Sequence, residues 1–134
     1  MAYGWGEHTG ELELWVTAAS EGDVFEEALR AVAELLGDED DAASGAVSSR
    51  LVAIEGGDHA RLLAGWLEEL AFLAETEGFV PERAEELRLA PAGVSARVVG
   101  RIGTPPHLIK AVTLHRLAFE RDDDGWRARV VLDV

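Results

Sequence analysis

Cysteine is absent from the 134-residue chain, which excludes disulfides, thiolate zinc sites and a cysteine nucleophile. Lysine is nearly absent too: Lys110 stands alone against eleven arginines. Basic residues of both kinds number 12 against 26 acidic ones, for a formal charge of −14. Phosphate-backbone binding runs on Lys and Arg, so direct nucleic-acid binding is not expected as the main activity. An acidic surface suits a basic partner or a cation instead. No apolar run approaches the ~20 residues of a spanning helix, so no membrane partner is expected. Met1 to Gly10 contain neither a basic stretch nor an apolar run. No leader peptide is expected there, and the cytoplasm is the default location.

Familiar chemical motifs are missing as well. There is no G-x-S-x-G elbow, no Walker loop and no G-x-G-x-x-G, and Gly100 to Gly103 is too short for either phosphate loop. The histidines His8, His59, His107 and His115 are scattered and form no H-x-x-x-H or H-E-x-x-H pattern, which argues against zinc. His59 reads as a surface residue of a helix start, and His115 as a partly buried strand residue. Asp38 to Gly45 is rich in acids, but an EF-hand starting at Asp38 would place Ala43 at the glycine position and Ser49 at the final glutamate. It reads as a solvated loop. Trp5, Trp15, Trp66 and Trp126 read as core or rim residues. No aromatic platform flanked by basic residues is visible, so single-stranded RNA binding gains no support.

What is present is the patterning of one domain over residues 1–134, with 48% hydrophobic residues, too many for a disordered acidic tail. Glu11 to Thr17 alternates Leu12, Leu14 and Val16 with Glu11, Glu13 and Trp15, the period of a strand with one buried face. Asp23, with Glu26 three residues on, resembles a capping box. Phe25, Leu29, Val32 and Leu36 then form one helical stripe, and Gly37 stops it. Ser48 to Glu55 is a second strand. Asp58 caps a second helix over about 59 to 76, roughly 27 Å long. Its stripe is Leu62, Leu63, Trp66, Leu67, Leu70 and Leu73, and Gly78 ends it. Pro81 blocks continuation. Two hairpins follow: Ala84 to Leu89 with Val94 to Ile102, and Ile109 to Glu120 with Trp126 to Leu132, the latter turning at Asp124-Gly125. The expected fold is α+β, two layers, with two helices on a mixed, mostly antiparallel sheet in the order β-α-β-α-β-β-β-β.

Three residues stand out chemically. Asp133 lies at the end of the last strand, where it and the oxygens of Val134 are close together in sequence. Glu11 opens the first strand. If the first and last strands are neighbours, these groups form a hard-oxygen cluster suited to calcium or magnesium rather than zinc. Lys110 begins the strand that pairs with the one carrying Asp133, and is a compact charge where arginine would act differently.

Three stretches together resemble the archease family: His8-Thr9-Gly10-Glu11-Leu12, Ile109-Lys110-Ala111-Val112-Thr113-Leu114-His115, and Trp126 through Val134. Family members carry H-T-A-D before Ile or Val, a late V-K-A-x-T-x-H strand, and a chain end closing on Asp and Ile or Val. The segment His59 to Leu73, with Trp66-Leu67-Glu68-Glu69-Leu70, and Asp23 to Leu29 also match the family pattern. The resemblance covers nearly the whole chain in order. It implies a small α+β protein that is not an enzyme. It would be the protein cofactor of an RtcB-type RNA ligase, promoting ligase guanylylation and multiple turnover in tRNA splicing and RNA repair. It also implies a bound divalent cation, usually calcium. The metal ligands would be Glu11, Asp133 and Val134, the last through its terminal carboxylate or backbone oxygen. Lys110, Glu11 and Asp133 would carry ligase activation. One departure stands: the family's Ala-Asp is Gly10-Glu11 here, and the longer side chain needs a shifted backbone to place the same oxygens. Glu13, on the same strand face, is a further candidate donor. The alternative reading is an archease-fold interaction module with a different protein partner and a degenerate metal site. An independent enzyme is the weakest reading, because nucleophile and cofactor motifs are lacking.

Overall fold

A computed structural model of the protein describes residues 1–8, 10–37 and 45–134. The expected loop over Asp38 to Gly45 therefore lies outside the described residues, except for Gly45. Along the chain run β1 (Ala2–His8), β2 (Glu11–Ala18), α1 (Glu21–Leu36), β3 (Val47–Glu55), α2 (His59–Glu77), β4 (Phe79–Ala90), β5 (Gly93–Ile102), β6 (Ala111–Asp122) and β7 (Gly125–Asp133). The α+β class and the two helices are as expected. The structure adds β1, an edge strand absent from the expected order. Tyr3 and Trp5 of β1 pack against the core, while Gly4 and Gly6 occupy the intervening positions. Glycine contributes little to a strand signal, and pairing with β2 is what makes this segment extended.

The strands form two antiparallel sheets, β1-β2-β7-β6 and β3-β5-β4. Both helices touch both sheets, and one continuous core joins the layers. Helix α1 is capped by Ser20, whose side chain accepts a 3.2 Å hydrogen bond from the Asp23 amide. The helix thus starts earlier than an Asp23 cap implies. Asp23 sits instead in the first turn, where its charge favours the helix N-terminus. Phe25, Leu29, Val32 and Leu36 are all fully buried, and Gly37 closes the helix through a 2.8 Å bond to Ala33. In α2, Asp58 accepts a 2.9 Å bond from the Arg61 amide, and Leu62, Leu63, Trp66, Leu67 and Leu70 are fully buried. The Trp66 indole donates to the Phe25 carbonyl at 3.1 Å, tying α2 to α1.

Strand β4 starts before Pro81 rather than after it. Pro81 lies on a sheet-edge strand beside a register shift, the setting in which a strand tolerates a residue without an N–H. At the end of α2, Gly78 adopts φ +66° and its carbonyl accepts a 2.8 Å bond from Gly103. This contact anchors the start of the loop that leads to Lys110 and β6.

Candidate functional site

Strand β2 points Leu14 and Val16 into the core, and its partner β7 does the same with Ala128, Val130 and Leu132. The other face of both strands therefore carries Glu11, Glu13 and Trp15 beside Asp133, Val131 and Arg129. Glu11 and Asp133, separated by most of the chain, are direct cross-strand partners. The neighbouring Val134 amide donates to the Gly10 carbonyl at 3.1 Å. That bond makes Glu11–Asp133 a non-hydrogen-bonded pair, the kind whose side chains lie closest, with Cα atoms about 4.5 Å apart. The Asp133 carbonyl points the opposite way along the sheet and accepts a 2.8 Å bond from the Lys110 amide. Lys110, Asp133 and Glu11 thus sit side by side at one end of the sheet.

The donor chemistry of this end suits a hard cation: two carboxylates next to the main-chain carbonyl of Val134. Among the described residues, no group of three or more His, Cys, Asp or Glu side chains is gathered for a metal. A cation here would take its remaining oxygens from main chain and water. Gly10 precedes the pair in the β1–β2 turn with φ +73° and open space where a Cβ would stand. That left-handed conformation favours glycine over the alanine of the family pattern.

The side chain of Lys110 is exposed. It lines a groove of about 400 Å³ between α2 and the start of β6, opposite Glu68, Glu69 and Glu75. The lone lysine is therefore set in an acidic groove rather than ion-paired with Asp133; no salt bridge joins them among the described residues. The same groove is walled by Phe72, which is 55% exposed.

Glu13, the further candidate donor, faces two arginines. It is 6% exposed, and its Oε1 lies 3.4 Å from both the Arg116 and Arg129 guanidinium groups. Arg116 belongs to a four-residue bulge of β6, Leu114 to Leu117, which has no partner in the β7 register. Its φ of +59° is strained for a non-glycine residue, and Arg129 holds its carbonyl with a 2.6 Å bond. The bulge also explains His115, which is exposed rather than partly buried: its segment leaves the sheet.

His59 departs from expectation in the other direction. It is half-buried, with Nδ1 against Glu21, Nε2 3.0 Å from the Ala90 carbonyl and its ring edge-on to Phe119. It ties α1, α2 and β4 together rather than facing solvent. Trp15, expected in the core or at its rim, stands on the outer face with the Arg129 guanidinium 5.1 Å above its ring. Nothing in the linear sequence marks Arg116, Arg129 and Trp15 as neighbours. Their only signal was the strand alternation that put Trp15 opposite Leu14 and Val16.

A family model described as the Archease protein family (MTH1598/TM1083) matches residues 3–134. A protein named "Protein archease" from Methanopyrus kandleri is 35% identical over 138 residues, spanning 96% of this chain and 96% of the relative. Another of the same name from Methanosarcina acetivorans is 33% identical over 144 residues, spanning 98% of this chain and 95% of the relative. The solution structure of Methanobacterium thermoautotrophicum protein 1598 superposes with a TM-score of 0.74 at 25% identity, over 98% of each chain.

Proposed function

The chain belongs to the archease protein family, and from that premise we propose that it acts as a protein cofactor of an RtcB-type RNA ligase, promoting guanylylation and repeated turnover. The observation that supports this most is the Glu11–Asp133 pair with the Lys110 amide on Asp133. The three residues on which the family resemblance puts ligase activation share one end of one sheet. Glu11, Asp133 and Val134 would hold a divalent cation, calcium by family resemblance, which would supply concentrated positive charge at an otherwise acidic edge. Glu11 and Asp133 orient oxygens toward that position. Lys110 bonds Asp133 through its amide, while its exposed side chain lines an acidic groove against α2 that suits a basic partner surface. The chain itself performs no bond chemistry in this reading; it docks and resets a stalled ligase, in the cytoplasm.

The test is multiple-turnover joining of RNA ends by the RtcB-type ligase of the same source with GTP and Mn²⁺. The wild-type protein is expected to accelerate joining, and Lys110→Ala, Glu11→Ala and Asp133→Ala to abolish the acceleration. Calcium titration by calorimetry is expected to give binding to the wild type and none to Asp133→Ala. A wild type without effect on its cognate ligase overturns the reading. It would favour the second one, an archease-fold module with another protein partner, which the Gly10-Glu11 departure and the left-handed Gly10 turn support.

A further inference from the structure

The charge of −14 conceals a local reversal. On the outer face of the β1-β2-β7-β6 sheet, Trp15 and Arg129 are cross-strand partners, and Thr17 and Arg127 are the next pair on that face. Arg127 is exposed and lies about 7 Å further along β7. Arg116 reaches the same region from the β6 bulge. Three guanidinium groups thus share this face, Arg129 over the Trp15 ring, Arg127 beside it and Arg116 on Glu13, in a chain with only 12 basic residues. Of the two carboxylates among them, Glu120 is exposed opposite Arg127, whereas Glu13 is 6% exposed, and its Oε1 accepts no hydrogen bond. Its charge is spent holding Arg116 and Arg129 in place rather than presented to solvent. Acids on remote parts of the surface are screened over about 10 Å at moderate salt, so the local guanidinium groups set the field that a ligand meets here.

Beside this cluster is a small cavity of about 170 Å³, lined by Trp15, Glu120, Arg127 and Arg129. Each wall has a counterpart in a nucleotide. The indole, with Arg129 stacked on it, is a surface for a flat base. Arg127, with no salt-bridge partner among the described residues, is a donor for a phosphate. Glu120, opposite Arg127 across β6 and β7, is an acceptor for a ribose hydroxyl, a group that DNA lacks. An acidic protein segment would be met by the arginines but would leave Trp15 unused.

We propose that this outer sheet face binds a short segment of single-stranded RNA, one base stacking at Trp15 and its flanking phosphate held by Arg127. The inference does not rest on the ligase reading, and the residues it uses are not those of the Glu11–Asp133 end. The two faces of the idea can therefore fail separately: loss of ligase stimulation is read on Lys110 and Asp133 variants, loss of RNA binding on Trp15 and Arg127 variants.

The experiment is fluorescence anisotropy of the full-length protein with a fluorescein-labelled, mixed-sequence single-stranded RNA, its DNA counterpart and an acidic peptide, at low and at physiological salt. Saturable RNA binding is expected, tighter than DNA. Trp15→Ala is expected to weaken it roughly 5- to 150-fold, the range for one stacked base, with most of the loss recovered in Trp15→Phe. Arg127→Gln, at an exposed position that leaves the fold intact, is expected to weaken binding and to lower the slope of log affinity against log salt by about 0.7. Four results would overturn the proposal: no RNA binding by the wild type, equal binding of DNA, equal affinity of Arg127→Gln and wild type, or displacement of the RNA by the acidic peptide.

Discussion

Replacing Gly78 by alanine tests how the fold presents the Lys110 edge. Gly78 ends α2 at φ +66°, a left-handed conformation costing a residue with a Cβ about 1–2 kcal/mol. The added Cβ would also stand 2.5 Å from the Gly103 carbonyl oxygen. That oxygen is backbone, so the end of α2 and the residue after β5 must part to relieve the contact. Parting them weakens the 2.8 Å bond from the Gly103 amide to the Gly78 carbonyl, worth about 0.5–1.5 kcal/mol net. Together the terms give about 1.5–3.5 kcal/mol. A 134-residue domain loses about 0.28 kcal/mol of stability per kelvin near its midpoint, so Tm should fall by ~5–12 °C. Gly10→Ala provides the internal reference. Gly10 has φ +73° and nothing within 4 Å of its Cβ position, so only the backbone term applies, and Tm should fall by ~4–7 °C. The assay is thermal unfolding followed by circular dichroism, with urea titration as a second measure. If Gly78→Ala melts no lower than Gly10→Ala, the close approach to Gly103 is not a constraint, and the reasoning fails.

Two further outcomes follow from individual contacts. Trp66→Phe removes the indole that is fully buried and bonded to Phe25; it should cost about 1.5–3 kcal/mol in urea unfolding, whereas an effect below half a kilocalorie would mean the site repacks freely. The Arg97 guanidinium, with Arg83 beside it, holds the Glu85 carboxyl below its ordinary value of 4.5. A depressed carboxyl contributes stability above its unfolded pKa and loses it as pH falls through the folded one. The wild type should therefore lose Tm more steeply than Glu85→Gln as pH drops below 4.5; parallel acid profiles would refute that assignment.

Much of the site was legible before any fold was known, because its residues sit in distinctive local patterns. Glu11 opens an alternating strand, Asp133 closes one, and Lys110 is the chain's only lysine. Their adjacency was conditional on the first and last strands pairing, and the β2–β7 register supplies it. Glu13 illustrates the opposite case. Its place on the outer face follows from period two, but its burial between Arg116 and Arg129 depends on a β6 bulge that has no periodic signature. The helix start is ambiguous in sequence for a related reason: Ser20 and Asp23 both suit a helix N-cap, and only the backbone conformation shows which one accepts.

The sequence by itself determined the α+β class, both helices and their buried stripes, the two C-terminal hairpins and the family, because each is written in short-range periodicity, capping residues and ordered motifs. Tertiary structure alone decided that the strands divide into two sheets, that β1 joins one of them, and that Arg129 stacks on Trp15. Those outcomes depend on register between distant strands. Which residues end up opposite one another is set by how the whole core packs, and no local window of the chain contains that information.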